Sequence, residues 1–582
     1  MKHINLKIPE VVRHNFRFGT LNFLFIILYV NVFQFIFGPE NSIVGVIFTI
    51  MMSASMARDL TATPFRHFLI QALVLVWMAV AAFLVGMLSA PWSLCVNFIT
   101  LLLILYAFTY EYSNHLYFPY ILSYLFLVFI SPVNASGLPR RIIAMLVGAL
   151  SIILYQWFMG RKRVVETARD VLTEMIDDVC GAASCRLEGT VDQPDTSRIR
   201  KLLCRLSHTV YERRKNVLSI SDASFSMIAA GRGLEHLLIL IQELPEEMSA
   251  QEKAILEYVS GQLKIYEAFL QAETESIPPV DETVFAGYEE KKVVRLFYHA
   301  LLYTRDRLLH MSDPKNKTHY KKTALSMKLR LETALDFSSV RAVYAVRVAL
   351  LLSLATLLVQ TLALPHGKWL LFTLASVSLP YADDVPVKIK KRVLATLAGG
   401  LASVLIYSLV PSPAGRTAAM MISGYLSFYF TDYAQTFACS TIGALGGAVF
   451  MGAFGFEQVG GMFLIRIGYI LVGVLAGYLV NCLVFPYSRA QATMQLWRKY
   501  TSLTELLAKI CRKQQMDSQL YYNLMVQVYL LEEKLTQNAS LEKWKMFPEI
   551  LAEYQEKIRH AHRKLIAGRA DAPVFDAADL SS

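Results

Sequence analysis

Charged residues are scarce in this 582-residue chain, and they are unevenly spread. Asp, Glu, Lys and Arg make up 18% of the residues, whereas a soluble globular protein carries about 25%. Five stretches are nearly free of charge: 20–57, 67–110, 116–160, 342–382 and 392–486. This pattern excludes one large soluble core and indicates a membrane protein with sizeable water-exposed parts.

The motifs that carry much enzyme chemistry are also missing. The sequence contains no Gly-x-x-x-x-Gly-Lys-Ser/Thr loop, so nothing indicates a nucleotide-driven motor. It contains no His-Glu-x-x-His pair, nucleophile elbow or carboxylate pair with an evident base. The seven cysteines are scattered without a Cys-x-x-Cys, which argues against a zinc site or a disulfide framework. We therefore expect no enzyme activity, no metal and no cofactor.

The abundant residues are apolar: 55% of the chain is hydrophobic, gathered in runs that resemble membrane helices. A spanning helix needs about 20 mostly apolar residues. The first region predicts six spans, at 20–37, 42–57, 67–88, 92–110, 116–132 and 140–160. The second predicts six more, at 342–363, 368–382, 392–411, 416–432, 434–454 and 462–485. No strand-like alternation is long enough to indicate a sheet.

The net charge of +11 reflects basic clusters that flank the apolar runs. Lys2, Lys7, Arg13 and Arg17 precede the first run, and 161–163 follows the sixth. This placement is typical of the positive-inside rule and favours membrane topology over a nucleic-acid interface. The basic N-terminus lacks a small-residue cleavage signal, so we expect a retained first helix. Both termini are then cytosolic.

The distribution of charge divides the chain into four predicted segments. Residues 1–160 predict a first transmembrane bundle, and 341–487 predict a second. In 161–340, apolar residues recur at three- and four-residue spacing, which predicts a cytosolic helical domain. Residues 488–582 predict a cytosolic helical tail with a disordered end.

The two transmembrane regions share residues at a nearly constant offset. The pairs are Pro39 and Pro365 (365 − 39 = 326), Arg66 and Arg392 (392 − 66 = 326), and Arg141 and Arg466 (466 − 141 = 325). Because each half has an even number of spans, the repeats are expected to be parallel. The sequence thus predicts an all-α membrane protein of two similar six-helix transmembrane bundles. Parallel repeats with small-residue faces would suit a dimer.

Arginines within or at the start of spans are the first candidate functional residues. A charge at the bilayer centre costs about 2.5–3.5 kcal/mol on insertion scales, so it normally faces a bundle interior or a water path. Arg141 and Arg466 lie inside predicted spans, and Arg66 and Arg392 lie at span starts. Fixed cations of this kind offset the lost hydration of an anion. The alternative is that they bind headgroups or pin the bundle ends.

Three further candidates lie in the predicted second bundle. Thr396 shares a helix face with Arg392, and Trp369 lies near a membrane interface. Both are candidate pathway residues, with helix packing and an interfacial belt as their alternative roles. Asp432 lies at a span end and is a candidate proton-coupling site, with a helix cap as the alternative.

Two stretches of the second bundle resemble a known family. They are Trp369 … Pro380 … Arg392-Val-Leu-Ala-Thr396-Leu-Ala-Gly399, and Arg466-Ile-Gly-Tyr-Ile-Leu-Val-Gly473 … Asn481 … Pro486. They are similar to the repeat signature of fusaric acid resistance proteins and aromatic acid exporters. The resemblance implies proton-driven export of small organic anions, such as aromatic carboxylic acids, across a bacterial inner membrane. It also implies a periplasmic adaptor protein as a partner.

Two other functions fit the same sequence. A passive anion channel would use the same arginines without a proton gradient. A membrane scaffold or envelope-assembly factor would act through 161–340 and would not need the four arginines. The expected partners are the lipid bilayer, a small organic anion and a second copy of the chain, and no nucleic acid is expected.

Overall fold

A computed structural model describes residues 10–56, 64–109, 116–160, 163–189, 196–212, 221–285, 292–313, 315–316, 340–410, 412–430, 432–450, 456–511 and 518–570. Throughout these residues the regular elements are helices, which confirms the predicted all-α class. Contacts divide the chain into two compact units. The membrane unit comprises Met1–Ala57, Phe65–Tyr155 and Phe337–Arg489, and the second unit comprises Arg58–Pro64, Gln156–Asp336 and Ala490–Ser582.

The described α-helices are numbered in chain order. Those up to residue 312 are α1 (Glu10–Phe37), α2 (Ser42–Ser55), α3 (Pro64–Met87), α4 (Ala90–Phe108), α5 (Tyr117–Phe129), α6 (Leu138–Gly160), α7 (Arg163–Glu188), α8 (Thr196–Glu212), α9 (Asp222–Glu243), α10 (Ala250–Leu270) and α11 (Lys292–Ser312). Those after residue 339 are α12 (Val340–Thr361), α13 (Lys368–Val377), α14 (Val385–Leu409), α15 (Pro413–Leu426), α16 (Tyr433–Phe450), α17 (Phe456–Tyr478), α18 (Arg489–Ile510), α19 (Ser518–Glu542) and α20 (Phe547–Ala570). A π-helix, Leu479–Val484, continues α17.

Eight helices in the described ranges are long and apolar enough to cross a membrane. They are Gly19–Phe37, His67–Met87, Ala90–Phe108, Leu138–Phe158, Asp222–Glu243, Val340–Thr361, Ala382–Leu409 and Val459–Val484. Seven lie wholly or mostly in the membrane unit. The other, Asp222–Glu243, is entirely buried inside the second unit, where it forms the core although it carries Arg232, Glu235 and His236. The chain is thus a multi-pass membrane protein, while the twelve spans and their parallel repeat remain predictions.

Helices α13 and α14 differ from the spans predicted for them. Helix α13 ends at Val377, before the predicted end of its span, because the backbone becomes extended at Ser378 and a proline follows two residues later. Helix α14 begins at Val385, whereas the predicted span begins at Arg392. Lys388 and Arg392 therefore lie one turn apart on the same helix, where the sequence predicts a loop followed by a span.

Helices α4 and α12 join the two apolar regions into one unit. Ser93 Oγ donates a hydrogen bond to Gln360 Oε1 at 3.1 Å. At the other end of the pair, Arg341 Nε donates to the carbonyl oxygen of Tyr106. Since Ser93 lies near the start of α4 and Gln360 near the end of α12, the two helices are antiparallel.

Two glycines let α14 pack tightly between α16 and α17. A Cβ atom at Gly399 would lie 2.4 Å from the carbonyl oxygen of Ala438 in α16. A Cβ atom at Gly400 would lie 1.8 Å from the Phe463 ring in α17. Small residues permit such close helix approach. This packing brings the buried face of α14, which includes Arg392, against both neighbours.

The second unit is built around α9, whose side chains are buried along nearly the whole helix. Arg200 on α8 lies 2.9 Å from Glu532 on α19. Arg232 on α9 donates a hydrogen bond to the Tyr521 hydroxyl at 2.6 Å. Both contacts join the helices that precede the second apolar region to α19, which follows it. The predicted disordered end starts at about residue 569; α20 continues to Ala570, and the rest of this end lies outside the described residues.

Candidate functional site

Arg141, on α6, is fully engaged with its own protein. Its side chain is 1% exposed. The guanidinium donates hydrogen bonds to Asn41 Oδ1 (2.5 Å), the carbonyl oxygens of Ser131 (3.1 Å) and Glu40 (3.0 Å), and Ser131 Oγ (2.9 Å). These bonds tie the start of α6 to the segment that precedes α2. The geometry fits the alternative role for this arginine, which is to pin one end of the helix bundle.

Arg466, on α17, is almost as deeply buried but has a different environment. Its side chain is 5% exposed, and its Nε has no hydrogen-bond partner in the described part of the chain. The guanidinium carbon lies 5.3 Å from the centre of the Trp369 ring. Trp369 belongs to an apolar cluster with Leu445 and Phe463. An aromatic face offsets only part of the cost of burying a cation.

Arg392, on α14, has surroundings of the same kind. It is 3% exposed, and its Nε also lacks a hydrogen-bond partner among the described residues. Its guanidinium carbon lies 3.4 Å from the centre of the Phe437 ring on α16. The Tyr433 hydroxyl is 3.5 Å from Nη1, which is beyond the usual range of a good hydrogen bond. The Phe437 face is therefore the main partner of this cation.

Arg392 and Arg466 lie on α14 and α17, two helices that pack closely against each other at Gly400 and Phe463. Within the described ranges, no carboxylate forms an ion pair with either guanidinium. Two buried like charges without a counter-ion create a local field suited to an anion.

A third cation extends this arrangement by one helical turn. Lys388 lies four residues before Arg392, and its ammonium is 3.3 Å from the centre of the Tyr433 ring. Tyr433 and Phe437 are also four residues apart, and their stacked rings have centres 5.4 Å apart. Helices α14 and α16 thus form two successive cation–aromatic pairs. Sequence analysis missed Lys388 as a site residue, although its spacing from Arg392 could have indicated a shared helix face.

Thr396 lies one turn beyond Arg392 on the same face of α14. It is 1% exposed, and its hydroxyl donates to the carbonyl oxygen of Arg392 at 3.0 Å. That bond occupies the only proton of the hydroxyl, so Thr396 contributes mainly to packing in this state. The structure brings Arg392, Thr396, Arg466 and Trp369 together on neighbouring helices. Arg66 lies in the first turn of α3, and its side chain is outside the described residues.

Asp432, the candidate proton-coupling residue, lies in the connection before α16. Its Oδ2 is 2.6 Å from Lys391 Nζ, and its Oδ1 accepts a hydrogen bond from the backbone N–H of Ala434 at 2.8 Å. The hydrogen bond from Lys391 holds the pKa of the Asp432 carboxyl below its usual range. Asp432 is thus a helix cap and an ion-pair partner, and it is ionised at neutral pH.

Arg347, on α12, is a buried arginine that sequence reasoning missed. Its Nη1 donates to the carbonyl oxygen of Phe485 at 2.9 Å. Its Nη2 donates to the carbonyl oxygens of Leu379 (2.5 Å) and Pro380 (3.1 Å). These carbonyls follow the ends of α13 and of the π-helix, so Arg347 satisfies backbone groups that two helix ends leave unpaired. Its position inside the predicted span 342–363 was the available signal.

The helical fold and its buried cations define a multi-pass membrane protein of a class consistent with transport. Residues 354–480 match the family described as fusaric acid resistance protein-like. This match confirms the resemblance found in the sequence, and it covers the region that contains Trp369, Arg392 and Arg466.

A curated relative is the inner membrane protein YccS of Escherichia coli (strain K12). It is 30% identical over 89 residues, which cover 15% of this chain and 12% of YccS. The likeness therefore spans a small part of each protein, and it supports an inner-membrane location. No solved structure matches this chain.

Proposed function

We propose that this protein exports small organic anions, such as aromatic carboxylates, across the bacterial inner membrane and that the proton gradient drives it. The observation that carries the proposal is the pair Arg392 and Arg466, two buried arginines without a counter-ion among the described residues. The direction of transport and the proton coupling follow from the resemblance to aromatic acid exporters.

The energetics of these two arginines favour a role in binding over one in stability. Burying an unpaired ion costs several kcal/mol, and well-packed apolar residues are often more stable in its place. A cation–π contact at a desolvated site offsets about 2 kcal/mol of this cost. A carboxylate that enters beside Arg392 and Arg466 would supply the missing counter-charge. The free energy spent on burying unpaired cations would then be recovered on binding, which would favour anions as ligands.

Aromatic faces at the same place favour aromatic carboxylates over aliphatic ones. Phe437 stacks with Arg392 and Trp369 with Arg466. When a carboxylate draws a guanidinium off its ring, the ring of the bound acid can pack against the released face. The carboxylate of the substrate would then replace the protein ring as the partner of the guanidinium. The ring of the substrate would replace the guanidinium as the partner of the protein ring.

The proposed topology gives this path a direction. With both termini and 161–340 in the cytosol, Lys388 lies at the cytosolic end of α14. The connection 362–367 then lies at the periplasmic end of α13. An exported anion would meet Lys388 first, then Arg392 and Arg466. A periplasmic adaptor protein and a second copy of the chain are the proposed protein partners.

The test is the accumulation of radiolabelled 4-hydroxybenzoate in cells with and without this protein, before and after an uncoupler. Export predicts lower accumulation in cells that carry the protein, and the uncoupler should abolish the difference. Arg392→Gln and Arg466→Gln should behave like the deletion. Lys390→Gln, on an exposed position of the same helix, is the matched control and should behave like the wild type. Equal accumulation in all strains, across a panel of aromatic acids, refutes the proposal.

A passive anion channel is the second candidate, because unpaired buried cations serve a channel equally well. Anion flux that persists in proteoliposomes without a proton gradient would identify a channel. If a variant with all four arginines substituted still restores the wild-type phenotype in deletion cells, the protein acts instead as a scaffold.

A further inference from the structure

Tyr433, the first residue of α16, lies between two cations of α14. The ammonium of Lys388 is 3.3 Å from the centre of the Tyr433 ring, and the Tyr433 hydroxyl oxygen is 3.5 Å from Nη1 of Arg392. Lys388 and Arg392 are four residues apart, so they lie on one face of their helix. Tyr433 therefore contacts both the half-buried lysine and the buried arginine.

The position of Tyr433 is fixed by contacts on both sides of it in the chain. Asp432, the preceding residue, pairs with Lys391 of α14 at 2.6 Å. One turn after Tyr433, the Phe437 ring stacks on its ring, with centres 5.4 Å apart and planes at 26°. The Tyr433 hydroxyl is thus held beside Arg392 in the absence of a ligand. A donor that is positioned in advance loses little conformational entropy when it binds.

The resting structure makes little use of this hydroxyl. Its proton has no acceptor in the described part of the chain, and its distance from Arg392 Nη1 is beyond the usual range of a good hydrogen bond. The ring of Tyr433 has structural partners in Lys388 and Phe437, and a phenylalanine would serve them equally well. The internal contacts therefore explain an aromatic ring at position 433, but they do not explain its hydroxyl group.

We propose that the Tyr433 hydroxyl is a substrate-binding donor, which donates a hydrogen bond to one carboxylate oxygen of the anion while Arg392 donates to the other. The inference rests on the proposed function and adds a neutral donor to its cations. Both oxygens of a carboxylate accept hydrogen bonds, and the two donor groups lie close enough together to contact one carboxylate. An anion that leaves Lys388 meets this hydroxyl on its way to Arg392.

Two tyrosine-to-phenylalanine variants separate this role from a structural one. Tyr433→Phe keeps the ring and removes the hydroxyl alone. Tyr407→Phe is the matched control, because Tyr407 also joins α14 to α16, and its hydroxyl already donates to the carbonyl oxygen of Ile442 at 2.9 Å. Tyr407 lies 15 positions after Arg392 (407 − 392), which is about 22 Å further along the helix. Binding of 4-hydroxybenzoate and the melting temperature without ligand would be measured for both full-length variants and the wild type in one detergent.

We expect Tyr433→Phe to bind 4-hydroxybenzoate about tenfold less tightly than the wild type, because it loses one hydrogen bond to a charged group. Its melting temperature should equal that of the wild type, because the hydroxyl has no good partner in the resting structure. Tyr407→Phe should keep the wild-type affinity, because its hydroxyl lies far from the anion.

Three results would overturn the inference and leave the proposed function intact. They are an unchanged affinity of Tyr433→Phe, an equal loss of affinity in Tyr407→Phe, and a loss of affinity in Tyr433→Phe that comes with a lower melting temperature. The last result would mean that the hydroxyl acts on the fold and not on the ligand. A wild-type protein that binds none of a panel of aromatic carboxylates would refute the proposed function itself.

Discussion

Replacing Arg466 with methionine should stabilise the protein, whereas replacing Arg141 with methionine should destabilise it. Both arginines are buried, at 5% and 1% exposure, and methionine retains much of the volume of the side chain. The two substitutions remove the same charge from comparable places. The two arginines differ in their hydrogen-bond partners. The sign of the change in stability therefore tests whether Arg466 lacks such partners.

The magnitudes follow from the contacts. Arg141→Met leaves Asn41 Oδ1 and the carbonyl oxygen of Ser131 without this donor, whereas the carbonyl oxygen of Glu40 keeps its hydrogen bond from Ser131 Oγ. Each buried acceptor left unsatisfied costs about 1–3 kcal/mol. Part of this loss is offset because the variant no longer buries a charge. We expect the free energy of unfolding to fall by about 3 kcal/mol in total. Arg466→Met loses one cation–π contact worth about 1–2 kcal/mol, but it removes an unpaired buried ion. Apolar replacements of buried ions have stabilised proteins by about 1–4 kcal/mol, so we expect a gain of about 2 kcal/mol.

The assay is the apparent melting temperature of the purified full-length protein in one detergent, read as loss of the monodisperse chromatographic peak. Heating of a protein of this size is often irreversible, so the variants are compared at one heating rate. A difference of about 5 kcal/mol corresponds to a gap on the order of 10 °C between the two variants. A melting temperature for Arg466→Met that falls as far as that of Arg141→Met would show that Arg466 is a structural residue. The same variant should lose binding of 4-hydroxybenzoate, so that stability and function change in opposite directions.

Three further substitutions test other parts of the structure. Arg347→Met should lower the apparent melting temperature, because it leaves three backbone carbonyls unpaired. We expect the free energy of unfolding to fall by about 3–5 kcal/mol. An unchanged melting temperature would contradict this role of Arg347. Lys388→Gln should raise the KM for 4-hydroxybenzoate several-fold in proteoliposomes with little change in maximal rate, while Lys390→Gln changes neither; equal KM values would remove Lys388 from the path. Asp432→Asn should keep uncoupler-sensitive export, because the lowered pKa keeps Asp432 ionised at neutral pH and asparagine also caps a helix; loss of proton dependence in this variant would instead identify Asp432 as the coupling group.

The buried arginines could be predicted from the sequence, because an arginine within a long apolar run normally faces the bundle interior or a water path. It did not reveal which of them are paired. The acceptors of Arg141 lie 10 and 100 positions away in the chain, and Phe437 lies 45 positions after Arg392 (437 − 392). Contacts at such separations depend on helix packing, which periodicity along one helix does not determine.

Helix boundaries show the same limit in a second way. The break after Val377 could be anticipated from the nearby proline, whereas the charged residues around Pro386 hide the early start of α14. Lys388 and its neighbours look like loop residues because they are charged. They are helical because a proline in the first turn of α14 fits a helix start and the aromatic face of Tyr433 accepts the lysine. The tertiary contact thus decides the structure of a segment whose composition favours solvent.

The contrast between Arg141 and Arg466 also bears on how many anions one chain binds. A parallel repeat would offer two equivalent cation sites, one in each apolar region. Arg141 already meets Asn41 and the carbonyl oxygen of Glu40, so an anion that approached it would have to displace internal partners. Arg466 meets an aromatic ring, which an anion displaces at much lower cost. On the proposed function, we therefore expect the first region to act as a scaffold for the second, and we expect the described part of the chain to offer one anion site, at Arg392 and Arg466.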